Sequence, residues 1–144
     1  MANNLTVKQV LSAYAALLGL IEADRQNKYV LSSATRIKLA GNVRRAKAIV
    51  EDAQEARDEL IKKLGKPNKD GVVSIEPNAP EKEVFDSQTK AALASETDLT
   101  GFSQVTEEDL FGKVVKDSDG NDKPQNQIDI DALSVLLDVG VLKQ

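Results

Sequence analysis

Between Ser32 and Gly65 the apolar residues fall at Leu39, Val43, Ala46, Val50, Ala53, Leu60 and Leu64, with Arg57 at the one charged step of the row. The steps alternate four and three without a slip, the spacing of a helix that lays one seam along a neighbour. Nothing else in the chain restricts the fold so strongly. A helix starting near Ser32 or Ser33 and ending at Gly65 rises about 1.5 Å per residue and so spans roughly 50 Å. The sequence predicts that Gly65 closes this helix as a left-handed residue and that Pro67 prevents it resuming. Lys62 and Lys63 fall in its last turn, where positive charge favours the carboxyl end of the macrodipole.

A first helix is predicted from about Thr6 to Arg25, capped by Asn4 or Thr6, with Val7, Val10, Leu11, Tyr14, Leu17, Leu18 and Ile21 on one face. Gln26 to Tyr29 form the break. A connection this short makes the two helices antiparallel neighbours, and alanines at 46 and 53 let the backbones approach closely. The second helix outruns the first by several turns. Its Leu60–Leu64 end, or the stretch near Leu39, therefore needs a cover from the C-terminal half or from a second chain.

After residue 65 the pattern changes. All four prolines lie beyond it, and six of the eight glycines lie at or beyond it. Residues 1–65 hold 11 Lys and Arg against 7 Asp and Glu, whereas residues 66–144 hold 8 against 16, so the two parts carry +4 and −8. The expected fold class is mainly α. A long antiparallel αα-hairpin over 1–65 carries a smaller, mixed, turn-rich acidic region over 66–144, packed on it. Within that region Lys69-Asp70-Gly71 reads as a turn and Val72 to Ile75 as a β-like run. Glu81 to Ser95 and Thr106 to Leu110 read as helices, and Val114-Val115 leads into a polar turn at 117–122. A last helix, Ala132 to Val139, is capped by Asp129 or Asp131 and ended by Gly140; its Leu133, Leu136, Leu137 and Val141 face the hairpin.

The 144-residue chain has no Cys, His or Trp. Disulfides, thiolate nucleophiles, imidazole bases and Cys or His metal sites are thereby excluded. Neither a catalytic role nor a cofactor is expected. The Asp117–Asp122 run fails as a calcium loop, since position 6 counted from Asp117 is Asp122 and position 12 is Ile128, where glycine and glutamate are required. It reads as a solvated turn. Most of the carboxylates Glu51, Asp52, Glu55, Asp58 and Glu59 can pair locally: Asp58 and Glu59 reach Lys62 or Lys63 at helical spacing, while Glu55 faces Lys62 only across two turns.

Arg36, Lys38, Arg44, Arg45 and Lys47 form a basic run, but it spreads around the polar face and lacks aromatic platforms for bases, so nucleic acid is a disfavoured partner. Arg36, Arg44, Arg45 and Lys47 are better read, with Arg57, as polar pairing or protein-contact residues. Arg57 either packs its stem in the seam while its guanidinium reaches water or pairs with a buried acid that fixes register. The apolar stretch Val10–Ile21 is too short for a membrane, which needs about 20 apolar residues, and Met1 to Leu5 lacks the basic start of a secretion signal.

The helix end Arg57-Asp58-Glu59-Leu60-Ile61, followed by Lys69-Asp70-Gly71 and preceded by Leu5-Thr6-Val7, resembles small uncharacterised helical-hairpin proteins of tailed bacteriophages over roughly residues 5–75. That resemblance implies phage origin and synthesis in the bacterial cytoplasm, with no defined activity and no functional residues carried over. The reading that follows is a non-enzymatic interaction protein: a virion component, assembly factor or adaptor. Its partners would be copies of itself or other phage or host proteins. The alternatives are a small inhibitor of a bacterial defence or host enzyme, and a weak nucleic-acid binder. On the seam reading, Val50→Asp costs several kcal/mol by placing an unpaired charge between helices, measurable as a lowered melting temperature.

Overall fold

The computed structural model describes residues 4–143. Met1, Ala2 and Asn3, on which part of the secretion-signal reading rests, lie outside the described residues, as does Gln144. The chain is mainly helical, with short strands confined to the part after Gly65.

Helix α1 runs Val7–Arg25. Of the two caps the sequence offers, Thr6 is the one used. Its hydroxyl accepts from the Gln9 N–H at 3.2 Å, and the Gln9 side-chain oxygen accepts from the Thr6 N–H at 2.9 Å, a reciprocal box that satisfies two free donors. Asn27, at φ 60°, turns the chain out of the helix. Helix α2, Ser33–Leu64, is capped by Ser32, whose hydroxyl accepts from the Thr35 N–H at 3.1 Å.

Gly65 corrects the expected closure. Its φ is −83° and its ψ 171°, so it is extended, not left-handed. The position needs glycine for space: a Cβ would lie 2.6 Å from the Ile61 carbonyl oxygen and 2.8 Å from that of Ser74. The chain folds straight back here, and strand β1 (Lys66–Pro67) pairs antiparallel with β2 (Val73–Ser74).

The contact between α1 and α2 uses a face rotated from the expected one. Val10, Ala13, Leu17 and Leu20 of α1 are buried, while Leu18 is 40% exposed. On α2 the buried residues are Thr35, Leu39, Asn42 and Ala46. These also step four, three, four, but one residue before Val43, which is half-buried. The side chains of Ala13 and Ala46 keep the helices close.

Helix α3 (Pro80–Ala94) starts with proline at its first position and Glu81 and Glu83 in its first turn, both suited to a helix N-terminus. None of its residues is fully buried. It lies against both α1 and α2, with Phe85 and Leu93 half-buried. The chain then runs beside the start of α1: Leu5 and Val7 donate to the carbonyls of Leu99 and Ser95 at 2.8 and 2.9 Å, and Thr97 donates back to Leu5 at 2.8 Å.

Strand β3 (Val105–Thr106) leads into α4 (Glu107–Phe111), where Thr106 and Asp109 form a second capping box. Strands β4 (Val114–Lys116) and β5 (Asp122–Pro124) make an antiparallel hairpin. At its tip Asp117 Oδ1 accepts from the N–H groups of Asp119 and Asn121, both at 2.9 Å, so this carboxylate shapes the turn. Helix α5 (Ile130–Asp138) docks on α1 and starts two residues earlier than expected; Asp129 stands at its N-cap without a side-chain capping bond. Leu136, Val139 and Val141 are buried there, whereas Leu137 turns outward. Gly140, at φ 80°, brings the chain round so that β6 (Leu142–Lys143) pairs parallel with β3.

One hydrophobic cluster, from Leu5 through Leu39 to Leu142, joins residues from before and after Gly65. Two buried asparagines tie the same parts together, each bonding both backbone groups of a distant residue. Asn42 accepts from the Ser103 N–H at 2.8 Å and donates to the Ser103 carbonyl at 3.0 Å. Asn126 accepts from the Val30 N–H at 2.7 Å, donates to the Val30 carbonyl at 3.0 Å and to the Leu110 carbonyl at 2.8 Å. Next to this clamp, burial and then the charge of Asp129 push the Tyr29 phenol pKa up. Asn126→Ala removes the partner of three backbone groups, of which the Leu110 carbonyl is the buried one, and is expected to lower unfolding free energy by about 1–3 kcal/mol. Urea midpoints would show it, with Gln127→Ala, at an exposed position, leaving the midpoint nearly unchanged.

Candidate interaction groove

The far part of α2 explains where an opening arises. Its residues up to Ala46 are held against α1 and the C-terminal elements, but none from Lys47 to Leu64 is fully buried. Val7 and Leu11, in the first turns of α1, share a cleft with Ile49, Val50 and Ala53. Past that point α1 has ended and α2 continues for some three more turns. Helix α3 and strand β2 accompany it there, at a distance that leaves a groove of about 880 Å³.

The floor and walls are apolar and mostly small: Leu11, Val50, Ala53, Ala56 and Leu60 on one side, Ala92 and Leu93 on the other. Alanines at 53, 56 and 92 leave the space, because a methyl is too short to fill it. The rim mixes signs, with Asp52, Glu59 and Asp98 against Arg57 and Lys63. Gln88 and Thr89 add uncharged hydrogen-bonding groups to the α3 edge. An opening of this size and lining can seat an apolar side-chain row from another molecule. Its charged groups stand on the rim, not converging on a point as a reaction centre requires.

The predicted seam therefore divides. Leu39 and Ala46 are buried; Val43 is half-buried at the edge of the core; Val50, Ala53, Leu60 and Leu64 are half-buried, and Val50, Ala53 and Leu60 line the groove. Arg57 is exposed on the rim, and no acid of the C-terminal half closes to ion-pair distance with it among the described residues. The pairs expected of Asp58 and Glu59 with Lys62 and Lys63 do not close to ion-pair distance among the described residues.

The basic run is also partly committed. Arg36 grips Asp24 through two bonds of 2.8 and 2.9 Å, and that hydrogen bond, with the carboxylate's charge, raises its pKa further. Arg45 donates to Asn42 at 2.7 Å and to the Ser103 hydroxyl at 3.1 Å. Lys47 lies 3.9 Å from Glu51, both exposed. Arg44 and Lys38 point to water. Asn42 and Asn126 went unread in the sequence. Asn42 had a signal, since it stands in a four-three row with Thr35, Leu39 and Ala46; Asn126, between two glutamines in a loop, had none.

No helix among the described residues is long and apolar enough to cross a membrane. Compared with known proteins, the chain matches no family model, no curated protein and no solved structure.

The groove corrects the cost expected for Val50→Asp. A half-buried wall position lets the carboxylate reach water, so the loss should be only about 1 kcal/mol. Ala46→Asp, at a closed position, should cost upwards of about 3 kcal/mol by burying an unpaired charge. Melting temperatures of the two variants, taken together, check the division between closed seam and open groove.

Proposed function

We propose that this chain is a non-enzymatic interaction protein of phage origin, acting as a virion component, assembly factor or adaptor in the bacterial cytoplasm or in the particle. Its α1 and α2 form an antiparallel hairpin, and the groove beside the free end of that hairpin receives an apolar helix from a partner protein. The groove carries the reading: α2 extends beyond its own cover, and its inner residues there remain half-buried around a space large enough for side chains. The lack of His and Cys fits a part that works by contact.

Nucleic-acid binding draws less support, because Arg36 and Arg45 are spent on internal partners. The inhibitor reading differs in what the groove would hold, a host enzyme instead of an assembly partner.

A photo-crosslinking residue in place of Ala56, in the gene's native context, tests the proposal. It should join the chain to one defined partner, and Ala53→Arg should remove that product while shifting the melting temperature by only a few degrees. An absence of any product, or a product indifferent to Ala53→Arg, would overturn the groove assignment. A product with a host enzyme that loses activity would replace assembly with inhibition.

A further inference from the structure

The side of α2 turned away from the core is exposed along its length, and its charges are sorted by position. From Arg36 to Lys47 α2 holds five basic residues and no acid, of which Arg36 and Arg45 are bonded to Asp24, Asn42 and Ser103, whereas from Glu51 to Glu59 there are five acids and one arginine. This order does nothing for the helix itself. Its first turn holds no acid to meet the positive end of the macrodipole. Glu51, Glu55 and Glu59 follow one another at intervals of four, a spacing at which like charges repel and weaken a helix.

At about 100° per residue, Arg44, Ala48, Glu51 and Glu55 fall in one row opposite Leu39 and Ala46. All four are exposed. The row again steps four, three, four. Ile37 extends it one way and is 68% exposed, a large apolar side chain with no cover.

From this order we infer that α2 pairs with the α2 of a second copy, antiparallel, about a twofold axis passing between Ile49 and Val50. That axis sets Arg44 opposite Glu55 of the second copy and Ala48 opposite its Glu51. Each contact occurs twice, as a twofold requires. The basic half of each helix then lies on the acidic half of the other. Glu55 of each acidic run then meets Arg44 of the other copy, and Ala48 beside the axis lets the backbones approach. The opposite, parallel arrangement would place base on base and acid on acid, which excludes it. The face lies across α2 from the groove, so the pairing goes beyond the groove reading and does not depend on it.

Sedimentation equilibrium of the whole chain at low salt should show a monomer–dimer equilibrium that shifts to monomer as salt rises. Arg44→Glu alone and Glu55→Arg alone should each weaken dimerisation by at least about tenfold, since each turns two attractive contacts repulsive. The double variant, which restores opposite charges in reversed order, should recover most of the loss. Ala53→Arg, in the groove, should leave the dimer intact, so the failure of one surface is separable from that of the other. A monomer at every concentration and salt level would overturn the pairing, and so would a dimer indifferent to the single reversals or not rescued by the double one.

Discussion

Helix α1 is the element on which the rest is assembled. Its buried stripe, Val10, Ala13, Leu17 and Leu20, meets α2, while α5 and α3 pack on other parts of its surface. Burying apolar area is the dominant favourable term, yet it has no direction and would not by itself hold three helices in one register. Direction comes from the polar groups around the stripe. Thr6 fixes where α1 begins, the strand-like bonds of Leu5 and Val7 fix what runs beside that start, and Asp24 with Arg36 fixes the approach of α2 near the other end.

The two asparagine clamps do the same for the elements after Gly65. A backbone N–H and C=O in a loop normally turn to water, so bringing the half-buried Ser103 against α2 would leave both of its groups without a partner. An asparagine side chain carries one amide of the same shape as the peptide it meets and can satisfy both at once. Asn42 does this from the middle of α2 and Asn126 from a loop 84 residues later, and no buried side-chain polar atom is left without a partner among the described residues. These contacts are specific to position in a way the surrounding leucines are not. They explain how a chain with short strands and small helices after Gly65 takes one arrangement.

The helices were legible because their signals are local: Thr6 and Ser32 before apolar periodic runs, and Thr106 ahead of the acids of a first turn. Rotation of the helices was not. A four-three row can be drawn through α2 starting from Leu39 by way of Val43 or of Asn42, and hydrophobicity favours valine. The structure takes asparagine because Ser103 waits opposite with two unpaired backbone groups, information held 61 residues away. Gly65 misled for a similar reason. Glycine after a helix usually signals a left-handed turn, but here the constraint is the closeness of Ser74, a neighbour that only the paired strands bring in. The groove was foreshadowed by the unequal helix lengths. Its third wall was not, because the weak apolar pattern of α3 gives no direction for docking.

The distribution of burial along α2 bears on how firmly that groove is held open. The first half of the helix carries all four of its buried residues, and α3, which lines the other half, carries none. Isolated helices of 12–15 residues are marginal in water even when their sequence is favourable, and packing of an apolar face normally supplies most of their stability. The free half of α2 meets that condition only partly, through α3 and the small β1–β2 ribbon, while its acidic side chains repel along its outer edge. Its local unfolding free energy should therefore sit below that of the core around Leu17 and Leu39. Any molecule that fills the groove or faces the acidic run binds the ordered form alone, and by linkage that binding stabilises this half most. Order at this end of α2 is thus coupled to occupancy. The half of α2 that its own chain covers least is the half whose order would respond most to a molecule in the groove.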